Sequence, residues 1–234
     1  MHLNPFDVVR TFEHEMAAYT GAPRAVAVDS CTSALFLCFK RVCDGRLRNL
    51  CCLSMPKKTH ISVPTMAIHA GAFIEWRDED WGGVYPIVLN KDDVACKEPV
   101  VWDAALRMRK HMFNEFVPAA HESATGVSRP VAFACLSFQY RKHLPIGRGG
   151  MILHNGSDAD DEFFRRMRFF GRAEVPAMED PGPTLLGWHC YMTPDEAARG
   201  LCFMQNIPVA SHDLEIDYPD LSQYEVLRAH TVVP

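Results

Sequence analysis

Ser137-Phe138-Gln139-Tyr140-Arg141-Lys142-His143-Leu144-Pro145-Ile146-Gly147-Arg148-Gly149-Gly150 joins two apolar runs, Val131–Leu136 before it and Gly150–Leu153 after it. Short apolar runs bounded by proline and glycine read as buried strands. Lys142 therefore stands at the rim of a sheet, on a connection stiffened by Pro145 and sharpened by Gly147, Gly149 and Gly150. A lysine held there is partly desolvated, which lowers its pKa and makes it a nucleophile for carbonyl groups. The same residue also fits a solvated loop lysine, and the segment alone does not separate the two readings.

Outward from this segment, strands and helices alternate. Phe6, Val9, Phe12, Met16 and Ala17 recur at helical intervals over residues 5–19, and Gly21 ends that helix. Strands are expected at Ala25–Val28, Leu50–Leu53, Ala72–Trp76, Pro99–Trp102, Val131–Leu136 and Met151–Leu153. Helices are expected at Ser33–Val42, Ala105–Phe113, Asp158–Phe170 and Pro194–Met204, with a turn and short helix between Pro56 and Gly71. This alternation argues for an α/β fold with a mixed, mainly parallel sheet between helices. The stretch between Trp76 and Val100 is short for the pattern, as if a strand–helix unit were missing. Residues 1–206 read as one α/β domain, and 207–234 as a polar, proline-punctuated tail that frays or wraps a partner subunit.

Composition narrows the class. Hydrophobic residues at 48% and charged residues at 23% are ordinary for a globular chain, and 234 residues suffice for one sizeable core. A net charge of −5 gives no broad basic field for nucleic acid. The basic run Arg107–His111 reads as a solvated helix face. Cys38, Cys51, Cys52, Cys135 and Cys202 fall in apolar elements, where cysteine acts as a small hydrophobe, and no Cys-x-x-Cys pair occurs. No metal site is expected. The start of the chain lacks the basic and apolar regions of a signal peptide, and no run approaches membrane-span length. The expectation is a cytoplasmic protein.

Four blocks in order resemble the DegT/StrS family of pyridoxal-phosphate (PLP) sugar aminotransferases. Ser137–Gly150 is similar to its Ser-Phe-His-x-x-Lys-x-Leu-x-x-Gly-Glu-Gly-Gly stretch. Ala25–Leu35, with Ser30-Cys31-Thr32-Ser33-Ala34-Leu35, is similar to its Ser-Gly-Thr-x-Ala-Leu loop. Val100–Ala105 resembles its Glu-Asp-Ala-Ala block, and Gly187–Ala198 its Gly-Tyr-Asn-Tyr-Arg-Met-Thr-Asp-x-Gln-Ala-Ala block. The resemblance implies the large domain of fold-type I PLP enzymes, with the small C-terminal domain nearly absent.

It also implies roles. Lys142 would carry PLP as a Schiff base and act as general base, and Asp103 would hold the pyridine nitrogen protonated. Ser30, Cys31, Thr32 and Ser137 would hold the phosphate, the first three at a helix N-terminus, where backbone amides bind anions. His60, in the register of the family's ring-stacking aromatic, would cover the ring, and His189 would reach a partner subunit's phosphate in a homodimer. Read alone, Asp103 equally fits a helix N-cap, and Ser30–Ser33 likewise. Gln139, also placed at the cofactor, and Leu106, Arg148, Cys31 and His189 depart from the family pattern; an arginine at 148 would suit an anionic substrate or would equally meet solvent. The expected activity is amino-group transfer between an amino donor and a keto compound. One alternative is decarboxylation or elimination at an amino acid, including one attached to a modified nucleobase in phage DNA. Another is a non-catalytic binding protein that retains the fold.

Overall fold

A computed structural model describes residues 4–45, 51–89, 99–117, 131–175, 178–209 and 211–232. Seven strands form one sheet: β1 (Arg24–Val28), β2 (Cys52–Pro56), β3 (Phe73–Arg77), β4 (Tyr85–Leu89), β5 (Val100–Asp103), β6 (Ala132–Ser137) and β7 (Gly150–His154). Their order across the sheet is β1-β7-β6-β5-β4-β2-β3. The pairings β5–β6 and β2–β3 are parallel, and the other four are antiparallel. Five strands thus run one way, and β4 and β7 run against them. The helices are α1 (Asp7–Thr20), α2 (Cys31–Cys43), α3 (Ser62–Ala70), α4 (Phe113–Phe116), α5 (Asp158–Arg168), α6 (Pro194–Met204) and α7 (Glu225–Arg228).

The period-2 alternation of strands splits the core into two layers. On one face Val26, Val28, Phe133, Cys135 and Ile152 pack with α2, α3 and α5. On the other, Ala25, Ala27, Ala134, Leu136 and Met151 pack with α1, α4 and α6. Arg168 of α5 is fully buried and ties the layers to β1: it bonds Glu13 of α1, Glu174 and the carbonyl of Ala27. Burying that arginine requires these partners, because an unpaired buried charge is strongly unfavourable.

The reversal of β4 follows from chain length. A parallel neighbour needs a crossover of about a dozen residues or more. Only residues 78–84 lie between β3 and β4, so the chain turns back and β4 runs antiparallel to β2 and β5. This is the abbreviated stretch seen in the sequence. The strand is present, and residues 78–84, all described, hold no helix.

Four expectations are corrected. Residues 105–112 are turns rather than a helix, and only Phe113–Phe116 is helical. His111 adopts φ 59°, and Leu106 and Lys110 pair their backbones with Leu214 and Val209, contacts incompatible with a continuous helix. Arg107 and Arg109 are not a solvated face but pair with Glu115, and Arg107 also with Asp213. Cys43 and Cys51 are joined by a disulfide with Cα atoms 5.8 Å apart, and Cys202 is exposed, so the cysteines are not uniformly buried thiols. The strand expected at Leu50–Leu53 forms at Cys52–Pro56, with residue 50 outside the described residues.

Residues 211–232 lie along their own chain. Leu221 N–H donates to the carbonyl of Lys57, Lys57 pairs with Asp220, and Ile74 exchanges backbone bonds with His230 and Val232 at the β3 edge. Among the described residues no helix is long and apolar enough to cross a membrane.

Candidate active site

The sheet gathers its chemistry at one edge, where open α/β sheets bind ligands. Asp103 ends β5, Ser137 ends β6, Ser30 follows β1, and Thr59 and His60 follow β2. The two reversed strands bring their first residues to the same edge, Gly150 on β7 and Tyr85 on β4. A cavity of about 480 Å³ opens there, a size suited to a small ligand. It is lined by Ser30, Cys31, Thr32, His60, Asp103, Ser137, Gln139 and Lys142, all eight named from sequence. His189 is not among them. It lies in an exposed aromatic patch, with ring centroids 5.0 Å from Phe170 and 4.9 Å from Tyr191. Larger clefts of about 620 and 690 Å³ lie beside the disulfide and on the outer side of residues 212–218, and neither holds a lysine together with a buried carboxylate.

Lys142 is half-buried, and desolvation lowers its pKa against the opposing pull of Cys31 and Asp103. Among the described residues its amine makes no hydrogen bond or ion pair. Asp103 is 6% exposed. Burial pushes its carboxyl up, while the N–H of Ala105, the Tyr85 hydroxyl, Lys142 and His60 pull it back. Its Oδ1 accepts from Ala105 N–H at 3.0 Å and its Oδ2 from Tyr85 at 2.8 Å. The Ala105 bond is the turn-capping contact expected of an aspartate here. Asp103 also lines the cavity, so the capping contact and a place in the site coexist.

The α2 N-terminus forms a cradle. Ser30 is its N-cap and accepts from Ser33 N–H at 3.1 Å, while Ala34 N–H bonds the Ser30 carbonyl. The amides of Cys31 and Thr32 are the remaining donors of the first turn, which an anion satisfies. Gly150 lets β7 approach this turn: a Cβ there would lie 2.3 Å from the Ser30 carbonyl carbon and 2.4 Å from the Cys31 nitrogen. Arg148 is held by the Asp29 carboxylate, which also accepts from Ser30 and Ser33. His60 is fixed by Ser62, whose N–H donates to Nδ1 at 3.2 Å.

A lysine amine, a buried acid and an anion cradle around one cavity fit PLP, whose aldehyde, ring nitrogen and phosphate need those three groups. Sequence reasoning missed Thr59, Tyr85, Trp81 and Tyr218. The last two line the cavity, and Tyr85 bonds Asp103. Tyr85 could be read only once β4 was recognised as reversed.

Residues 3–80 match the model of the DegT/DnrJ/EryC1/StrS aminotransferase family. The spore coat polysaccharide biosynthesis protein SpsC of Bacillus subtilis is 30% identical over 172 residues, 66% of this chain and 43% of SpsC. The chain thus spans less than half the length of that relative. The fold is similar to that of a sugar aminotransferase from Micromonospora echinospora, with TM-score 0.61, 17% identity, and coverage of 86% of this chain and 61% of that one. It is similar also to a Streptococcus pneumoniae protein of sugar-aminotransferase type in its PLP form, with TM-score 0.60, 16% identity, and coverage of 86% and 59%.

Proposed function

We propose that the chain is a PLP-dependent enzyme of the aminotransferase type, exchanging amino and keto groups on a small molecule. The observation that carries this reading is Lys142: a partly desolvated amine, without an ion-pair partner among the described residues, in one cavity with buried Asp103 and the α2 N-terminus. When bound, PLP supplies an electron sink conjugated to the reacting substrate carbon.

The chain's own residues would then act as follows. Lys142 Nζ, with its pKa lowered, is the nucleophile that attaches the cofactor, and once released it takes and returns a proton at the substrate carbon. Asp103, paired with a ring N–H⁺, would be held ionised, since a nearby opposite charge overrides the desolvation that raises its pKa. Ser30, Thr32, Ser137 and the Cys31 and Thr32 amides would hold the phosphate, and His60 would cover the ring. Arg141 and Arg148 at the cavity wall favour an anionic substrate. Sugar aminotransferases among proteins of similar fold favour a sugar-linked keto group. The exposed patch around Phe170, Trp188 and His189 is the face we assign to a second copy.

The deciding experiment adds PLP to the purified chain, reduces with borohydride and maps the adduct. An adduct on Lys142, together with spectral change on adding amino donors, supports the reading. No adduct, or one on Lys58 or Lys110, removes it.

A further inference from the structure

Residues 213–221 give Ile216 and Tyr218 to the cavity lining, and the chain anchors them from three sides. Arg107 forms a bidentate pair with Asp213, through Nε at 2.8 Å and through Nη2. Leu214 N–H donates to the carbonyl of Leu106 at 2.9 Å. Asp220 pairs with Lys57 at 3.4 Å, and buried Leu221 bonds the Lys57 carbonyl at 2.8 Å. Gly83 is shaped for this segment: its φ is +68°, and a Cβ there would meet Asp213 Cγ at 2.2 Å.

Between these anchors the segment separates two spaces. Trp81, Leu106, Ile216 and Tyr218 line both the inner cavity with Lys142 and the outer cleft of about 690 Å³. Tyr218 is fixed by aromatic contacts, stacked on Trp81 at 5.9 Å and edge-on to His60 at 6.0 Å. Trp81 is itself tied by its indole N–H to the carbonyl of Lys58 at 2.7 Å. Among the described residues the Tyr218 hydroxyl has no hydrogen-bond partner. Burial, with Asp103 and Cys31 nearby, pushes it up to about 12, so it keeps its proton at neutral pH.

We propose that Tyr218 is a ligand-binding residue of this site, and that residues 213–221 are its roof, delivered by the same chain that supplies Lys142 and Asp103. The role toward PLP rests on the function proposed above. The roof itself is a property of the chain without cofactor. The ring of Tyr218 closes the space over His60 and packs on the cofactor, while its hydroxyl offers a donor to a carboxylate of a bound substrate.

Two readouts test this. The first needs no cofactor: acylation of the apo chain by acetic anhydride, with the rate at Lys142 measured by peptide mass spectrometry against exposed Lys110. Tyr218→Ala should raise the Lys142 rate several-fold over wild type, and Tyr218→Phe should leave it unchanged. Gly83→Ala, which displaces Asp213 without altering Tyr218, should raise it as well. The second is the PLP dissociation constant: loss of aromatic contacts in Tyr218→Ala should raise it about three- to tenfold, with Tyr218→Phe close to wild type. Equal Lys142 rates in wild type, Tyr218→Ala and Gly83→Ala would overturn the roof. Rates that rise as stated in a chain that binds no PLP would support the roof and remove the cofactor reading instead. PLP bound equally well by wild type and Tyr218→Ala would overturn the binding role of Tyr218.

Discussion

Tyr85 donates its hydroxyl hydrogen to Oδ2 of Asp103 across 2.8 Å, and the two residues are register partners on antiparallel strands. Tyr85 is 1% exposed, and burial with the neighbouring carboxylate pushes its pKa far up, so it remains a donor. Thr59 completes the chain of hydroxyls behind it. Had β4 run parallel to its neighbours, its first residue would lie at the opposite edge of the sheet. The short 78–84 connection thus decides which group touches Asp103.

This relationship gives a prediction for the cofactor-free chain. Burial raises the folded pKa of Asp103 above its unfolded value, about 3.9. The folded state therefore favours the protonated carboxyl. Its contribution to stability is present below the unfolded pKa and is lost as pH rises through the folded one. Asp103→Asn keeps Oδ1 as the acceptor for Ala105, presents its amide N–H as a donor to the Tyr85 hydroxyl oxygen, and cannot ionise. The apo variant should melt higher than wild type at pH 7–8, by about 2–4 °C for each kcal/mol recovered, and the margin should vanish below about pH 4. PLP affinity should fall in the same variant. Calorimetry across this pH range decides it, and a variant that melts lower at every pH contradicts the argument.

The second prediction concerns Lys142. Desolvation lowers its pKa, with Cys31 and Asp103 resisting. The pH dependence of its acylation in the apo chain should give a midpoint below that of an ordinary lysine, about 10.4. Lys142→Ala should abolish the borohydride-reducible PLP adduct while leaving the far-ultraviolet circular dichroism unchanged. An ordinary midpoint would mean that the amine is solvated and not poised as a nucleophile.

Gly150 carries the third. A methyl group there meets the backbone of Ser30 and Cys31, which cannot rotate away as a side chain can. Gly150→Ala should cost about 1–3 kcal/mol by overpacking and displace the α2 N-terminus from β7. Affinity for the phosphate-bearing cofactor should fall more than affinity for dephosphorylated pyridoxal. Urea denaturation and the two binding curves measure both effects, and an equal loss for the two ligands would disconnect this turn from the phosphate.

The sequence carried most of the fold because strands such as Val131–Leu136 are apolar on both faces and bounded by glycine or proline, a pattern that needs no tertiary information. It carried eight of the cavity-lining residues because they sit in contiguous blocks at strand ends. It did not carry β4, whose single apolar run follows an acidic, tryptophan-containing loop. Nor did it carry the loss of helix at 105–112, because helical spacing there is overridden by pairing with residues 209–214, far along the chain. Tyr218 was hidden for the same reason: only the folded chain brings residues 213–221 back over His60. The disulfide was hidden because Cys43 ends α2 and Cys51, 8 residues on, stands just before β2, with no motif around either.

The last prediction concerns His189. It lines no part of the cavity of its own chain, and it shares a surface patch with Phe170, 47% exposed, and Trp188, 49% exposed. Exposed aromatic clusters of this kind mark interfaces, and two-fold closure is the commonest arrangement. If the patch meets a second copy so that His189 completes the partner's phosphate cradle, each site draws on two chains. Lys142→Ala and His189→Ala homodimers should both be impaired, one for want of the amine and the other for want of the second-chain contact. A mixed dimer has one site with neither group and one site with both, so mixing the two inactive variants should restore up to about half of the activity per dimer formed. Sedimentation of the wild type should show a dimer, and Trp188→Glu should shift it toward monomer. A wild type that sediments as a monomer, with no recovery on mixing, would leave His189 a surface residue without a role in the site.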